Sequence, residues 1–292
     1  VSLTLFDAST PLNERILSPA YLAMLILFAG GLGWAWQRLL QRRNKWRWEI
    51  AVLALPPLPG GLLPRAVEVT LADLNELDDA TVCDMLSGVD GVVYAAGVDE
   101  RTVPPEPAWE FFLLGNVVPT ERLFRLARKA GVRRGVVLGS YFAHFDRIWP
   151  ERKLSEKHPY IRSRQEQARC AIEAAGKKLK LCVLELPYIF GSMPGLTPLW
   201  EPLVAYVRAP VPLVCTRGGT NMVSVKQVAE AIAGALEKGK GGHCYQIGDE
   251  NHTWVEILQM LGEIVGRENN DVTVLPDYVF REASRIDAFY LA

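Results

Sequence analysis

Short apolar runs bounded by turn residues alternate along the chain with longer stretches in which apolar positions recur at helical spacing. Residues 22–28 make the first run and lead into a glycine loop, after which residues 34–43 have the spacing of a helix. Residues 49–55 predict a second strand, stopped by Pro56, Pro57 and Pro59. Residues 67–71 predict a third strand, 77–86 a helix and 91–96 a fourth strand. A loop with Pro104, Pro105 and Pro107 then precedes a helix that ends near Ala130-Gly131. Residues 135–138 and 181–186 predict the fifth and sixth strands, with a helix over 159–175 between them. Continuous apolar strands are buried on both faces, as a parallel sheet covered by helices requires. The expected architecture is therefore α/β, a doubly wound parallel sheet.

Beyond Pro187 the pattern changes. Pro, Gly and aromatic residues crowd 191–217, which predicts a smaller, loop-rich lobe with Trp200, Tyr206 and Arg208 as candidate lining; a packing role for the aromatics fits equally. Two capping boxes, Ser224-Val-Lys-Gln227 and Thr253-Trp-Val-Glu256, predict helix starts. The expected organisation is an N-terminal extension over 1–23, a main α/β domain over 24–186, and a mixed lobe over 187–292 that returns partly to the main domain.

Charge and composition narrow the function classes. The 292 residues carry a formal net charge of -1, without the basic excess that nucleic-acid binding shows. Five cysteines are scattered with no CxxC spacing, and the four histidines have no ligand spacing. Reduced thiols, a cytoplasmic location and no metal are expected. Residues 16–37 carry no charge and a basic flank follows, a pattern shared with signal-anchor helices. Pro19 and the glycines interrupt the run, and the sheet needs a first strand, so a buried strand is preferred and no membrane partner is expected.

The loop Ala29-Gly-Gly-Leu-Gly-Trp-Ala-Trp36 stands between a predicted strand and helix, where Gly30, Gly31 and Gly33 let the backbone approach a pyrophosphate. Further along come Leu71-Ala-Asp73-Leu74, Tyr94-Ala95-Ala96-Gly97, and Asn116 with Thr120. Gly131-Val-Arg-Arg-Gly-Val-Val-Leu-Gly-Ser140 and Leu184-Glu-Leu-Pro187-Tyr-Ile-Phe-Gly191 follow, then Met222-Val-Ser-Val-Lys-Gln-Val-Ala229 and Gly242-His-Cys-Tyr-Gln-Ile-Gly248. In this order the series resembles the extended short-chain dehydrogenase/reductases, the NAD-dependent epimerase/dehydratase group, a Rossmann-type fold. The resemblance implies NAD or NADP as cofactor. It places Gly30, Gly31, Gly33, Asp73, Leu74, Ala95, Ala96, Gly97 and Pro187 around the dinucleotide, with Asp73 towards the adenine.

The same resemblance implies a catalytic group of Ser140, Tyr160 and Arg164, with Asn116 positioning the site. Arg164 stands where the family carries lysine, four residues after the tyrosine, and i, i+4 spacing puts both on one helix face. A cation there favours phenolate over phenol, and Ser140 polarises a substrate carbonyl. Arginine keeps the charge without the compact ammonium. Trp36 replaces the third glycine of the loop, and Leu53-Ala-Leu55 offers neither the acid nor the arginine that would separate NAD from NADP. Thr220 and Asn221 stand where sugar-nucleotide enzymes carry an arginine for the phosphates, with Arg217 slightly upstream, which weakens that substrate class without eliminating it. The expected function is an NAD(P)-dependent oxidoreductase or epimerase acting on a carbonyl or alcohol carbon of a small molecule; a homodimer is left open. The alternative is a lapsed enzyme of the same fold serving as a structural or regulatory subunit, motivated by the departures at Trp36, residues 53–55 and Arg164.

Overall fold

The computed structural model describes residues 51–56, 63, 68–99, 104, 106–191 and 200–276. The predicted first strand, the glycine loop, the helix over 34–43 and the extension over 1–23 lie outside the described residues.

The first described strand, β1 (Ala51–Ala54), pairs in parallel with β2 (Glu68–Leu71). Helix α1 (Asp79–Met85) starts two residues later than its spacing suggests, because the Asp78 side chain accepts from Thr81 N–H and caps it. After β3 (Gly91–Tyr94), α2 (Ala108–Phe112) runs through one π turn (Leu113–Val117) into α3 (Val118–Ala130). Gly131, with φ 90, ends that helix in the left-handed conformation that glycine adopts without a Cβ penalty. Then come β4 (Arg134–Ser140), α4 (Tyr141–Ile148), α5 (Leu154–Lys157), α6 (Pro159–Ala175) and β5 (Lys180–Leu186).

The remaining elements are β6 (Tyr188–Phe190), α7 (Glu201–Arg208), β7 (Leu213–Cys215), β8 (Gly219–Ser224), α8 (Val225–Lys238), β9 (His243–Gln246), β10 (Asn251–Thr253), α9 (Trp254–Val265) and β11 (Val272–Val274). Strands β3, β4, β5 and β9 lie side by side in that order, all parallel. Thus β9 returns from the far part of the chain to extend the main sheet. The short strands β10, β8 and β6 form one small sheet, and β11 with β7 another.

Alternation along the central strands divides the core into two layers. Val137, Leu181 and Val183 face α3 and α6, packing with Phe124, Leu126, Ala171 and Ala175. Val136, Leu138, Cys182 and Leu184 face α8, packing with Val228, Ile232 and Leu236. Both faces of the sheet are covered by helices, as a doubly wound α/β protein requires. Each fully buried aliphatic side chain contributes about 1.5–3 kcal/mol relative to exposure, so the central strands hold the molecule together.

Candidate functional site

In a parallel sheet all carboxyl ends share one edge, and the register aligns Tyr94 with Val137 and Ser140 with Leu186. The segments after β3, β4 and β5 therefore meet there. Strand β3 ends at Tyr94 and not at residue 96, and the backbone beyond it is held by a side chain at Val98. Asn116, in the π turn, accepts from Val98 N–H at 2.7 Å and donates to Val98 C=O at 3.0 Å. Its Nδ2 also donates to Ser163 Oγ at 3.0 Å, and Ser163 donates to the Tyr160 carbonyl at 2.7 Å. One fully buried amide thus ties the loop after β3 to the helix bearing Tyr160. The helix begins at Ala108, directly after the loop with Pro107, and Asn116 sits within it. The π turn that carries it is a feature frequent at functional sites.

A second buried network lies beside the first. Thr120 donates to the Asn116 carbonyl at 2.6 Å, accepts from Gln167 Nε2 at 2.9 Å, and is hydrogen-bonded to Tyr94. Burial pushes the Tyr94 phenol up to about 12, against the Thr120 bond and the Arg164 charge, which pull it down. Asp73 adds a smaller upward push, so Asp73 and Arg164 act on the same phenol.

Tyr160 and Arg164 are both buried. The Tyr160 ring packs edge-on against Phe112 and Phe142, with centroids at 5.7 and 6.3 Å. The Arg164 guanidinium carbon stands 5.8 Å from that ring's centroid, and Nη2 donates to the Leu138 carbonyl at 2.9 Å. Its buried Nε has no hydrogen-bond partner among the described residues. Gly97, with φ +150, lies against this cluster: a Cβ there would come within 2.6 Å of Asn116 Oδ1 and 3.1 Å of Arg164 Nη1. Ser140 closes β4, and its hydroxyl accepts from Phe142 N–H at 3.3 Å, capping α4.

Of the residues expected around a dinucleotide, Ala95, Gly97 and Pro187 are buried at the sheet's carboxyl edge, with Ala96 half-buried beside them. Asp73 follows β2 and accepts from Asn75 N–H at 2.8 Å, and the Leu74 carbonyl accepts from Arg122 Nη1 at 2.6 Å. Gly30, Gly31 and Gly33 lie outside the described residues.

Two features escaped the sequence reading. Glu185, only 1 % exposed, is paired with Arg147 of α4 at 2.6 Å and accepts from Gln246 at 3.0 Å. A lone acid in an otherwise apolar strand was the available signal. The other feature is a band of aromatic rings. Tyr141 meets Phe142, Phe145 and Tyr188 at 4.6, 4.8 and 6.2 Å. Tyr188 meets Trp200 and Trp254 at 5.6 and 6.3 Å, and Phe190 stacks on Trp200 at 4.0 Å. Trp200 thus joins this band. Tyr206, expected beside it, serves packing: its hydroxyl accepts from Val214 N–H at 2.7 Å and lies 3.1 Å from the Pro212 carbonyl. Arg208 is exposed at the end of α7. Among the described residues no helix is long and apolar enough to cross a membrane, and no group of three His, Cys, Asp or Glu could hold a metal.

A parallel sheet with helices on both faces, and small residues at its carboxyl edge, defines the doubly wound α/β class, whose ligands sit at that edge. Within it, the chain belongs to the NAD dependent epimerase/dehydratase family, which it matches over residues 26–248. It is 26% identical to the uncharacterized protein y4nL of Sinorhizobium fredii over 91% of this chain and 81% of that one. It is 28% identical to sterol demethylase protein B of Methylococcus capsulatus over 72% of this chain and 65% of the relative. Among solved structures, the dTDP-glucose 4,6-dehydratase DesIV of Streptomyces venezuelae, with NAD bound, superposes at a TM-score of 0.65. That likeness covers 84% of this chain and 81% of the other at 19% identity, and it concerns the fold.

Proposed function

We propose that the chain is an NAD(P)-dependent oxidoreductase or epimerase acting on a carbonyl or alcohol carbon of a small molecule. The observation that carries this reading is Arg164, a residue 5 % exposed, whose guanidinium is set over the Tyr160 ring with a buried Nε left over. A solvated helix face would leave both side chains outside. Buried donors are nearly always satisfied, so an orphan one fits a ligand hydroxyl such as a ribose supplies. Arg164, Gly97, Ala95, Ala96, Asp73, Leu74 and Pro187 would hold the dinucleotide together with the loop of Gly30, Gly31 and Gly33. In this reading residues 24–186 hold the dinucleotide and 187–292 form a mixed substrate lobe that returns partly to the main domain through α8 and β9.

Bound NAD or NADP supplies a hydride acceptor or donor at its nicotinamide. Tyr160 takes the hydroxyl proton as an alcohol carbon becomes a carbonyl, and returns it in the reverse direction. Ser140 donates a hydrogen bond to the substrate oxygen, and Arg164 sets a fixed positive charge beside the tyrosine. Asn116 acts through Val98 and Ser163 as a positioning residue. The names of the relatives divide between a sterol demethylase protein and a sugar-nucleotide dehydratase, so the substrate class is decided by the lobe.

Thermal melting with NAD(H) and NADP(H) tests the reading. Native-state binding stabilises by about 2.7 kcal/mol at a hundredfold excess over Kd, so at least one dinucleotide raises Tm by several degrees. Tyr160→Phe keeps that rise and abolishes turnover, Arg164→Met diminishes both, and Arg164→Lys retains both. No rise at millimolar concentration of any of the four points to the lapsed enzyme, and an active Tyr160→Phe refutes the catalytic assignment.

A further inference from the structure

The substrate's chemical class can be read from the ring band and from the charges around it. Ring contacts run without a break from the proposed acid–base residue outward: Tyr160 to Phe142, Phe142 to Tyr141, Tyr141 to Tyr188, Tyr188 to Trp200 and Trp200 to Phe190. Core aromatics of this protein such as Phe124 and Phe112 are buried, whereas Phe142, Tyr141, Tyr188, Phe190 and Trp200 are only partly covered. Each therefore keeps ring surface available to a ligand. Flat apolar surface stacks on such rings without needing a compensating charge.

The charges near the band disfavour a phosphate-bearing partner. Thr220, where the resemblance would put a phosphate-binding arginine, is 9% exposed and lies 3.5 Å from the Tyr141 hydroxyl. A hydroxyl facing a ring phenol has thus replaced the cation. Arg147, on the same helix as Tyr141, is committed to Glu185. From Gly191 to Thr220 the charged residues are Glu201, Arg208 and Arg217, and both arginines are exposed. A diphosphate taken out of water here would depend on exposed Arg217 for charge compensation, a costlier transfer than that of an uncharged ring.

We propose that the substrate is an uncharged, flat ring compound bearing a hydroxyl or keto group, held against the rings of Tyr141, Tyr188 and Trp200, and not a sugar nucleotide. The proposal rests on the oxidoreductase reading for the end at which the oxygen reacts, but binding is measured apart from turnover. Titration calorimetry of the full chain, with saturating NAD(H) or NADP(H) and without it, compares 1-tetralone and testosterone with UDP-glucose and dTDP-glucose. The ring ketones bind with micromolar Kd, Trp200→Leu weakens them tenfold or more, and the dinucleotide melting shift of that variant is unchanged. Tyr188→Leu gives the same result if Trp200→Leu does not fold. Binding of either sugar nucleotide in preference to the ketones overturns the proposal and leaves the oxidoreductase reading intact. Failure of both ring ketones to bind the folded protein also overturns it. Ring ketones that bind but are not reduced uphold the proposal while the catalytic reading fails.

Discussion

Tyr94 keeps its hydroxyl inside the protein at the end of β3, against Thr120, and this has a consequence at high pH. Its phenol is pushed up to about 12 by burial, while the unfolded chain ionises near 10. Between those values the folded state holds a proton that the unfolded state has lost. Stability is therefore complete below pH 10 and declines as pH rises through 12, by on the order of 2 kcal/mol from this residue. Urea midpoints measured from pH 9 upward give that decline in the wild type and a shallower one in Tyr94→Phe. At neutral pH the same variant costs about 1 kcal/mol for the lost hydrogen bond. Equal slopes in the two proteins would show that Tyr94 is not the group responsible. Neighbouring Asn116 and Gly97 illustrate what sequence reading reaches at this scale. Both were singled out by motif, but only the tertiary structure puts Gly97 so close to the amide that a Cβ there would come within 2.6 Å of Asn116 Oδ1.

At the scale of elements, local chemistry was legible. The helix over 159–175 begins and ends where its spacing indicates, and both capping boxes form, with Gln227 N–H donating to Ser224 Oγ and Glu256 N–H to Thr253 Oγ1. These contacts lie within four residues, so no distant part of the chain can revise them. Removing either cap costs about 1 kcal/mol, but in different places. Helix α8 covers one face of the central sheet, so Ser224→Ala lowers the global urea midpoint. Helix α9 packs instead with Val207 and Leu213, so Thr253→Ala speeds hydrogen exchange in α9 and leaves the sheet strands as protected as before. Faster exchange in β4 or β5 of the second variant would contradict this separation.

At the scale of the whole molecule, the Arg147–Glu185 ion pair joins a helix to the buried middle of the sheet. Arg147 on α4 and Gln246 on β9 meet at Glu185 of β5, joining the helix that follows Ser140 to two strands of the sheet. Arg147→Met leaves a carboxylate that is 1 % exposed with Gln246 as its remaining partner. Breaking a fully buried pair costs roughly 3–5 kcal/mol. The Arg147 side chain is 40% exposed and screened by solvent, so about 2 kcal/mol is expected. Adding Glu185→Gln to Arg147→Met restores most of it, since the uncompensated charge goes; a double mutant no more stable than the single would refute the pairing as the cause. Urea denaturation of the variants reads this directly.

Apolar strands covered on both faces, helical spacing, capping residues and the ordered motifs are written in short stretches of chain, and they determined the α/β class, the central elements and the residues of the candidate site. Burial of Arg164 over Tyr160, the grip of Asn116 on Val98, the Arg147–Glu185 pair and the ring band were decided by the tertiary structure. Apart from Tyr160 and Arg164, which share α6 and are buried by what packs on it, each depends on groups from different elements arriving at one edge of the sheet. Sequence spacing sets which face of its own element a residue occupies; the register of β3, β4, β5 and β9, with the helices packed across it, sets what that face meets.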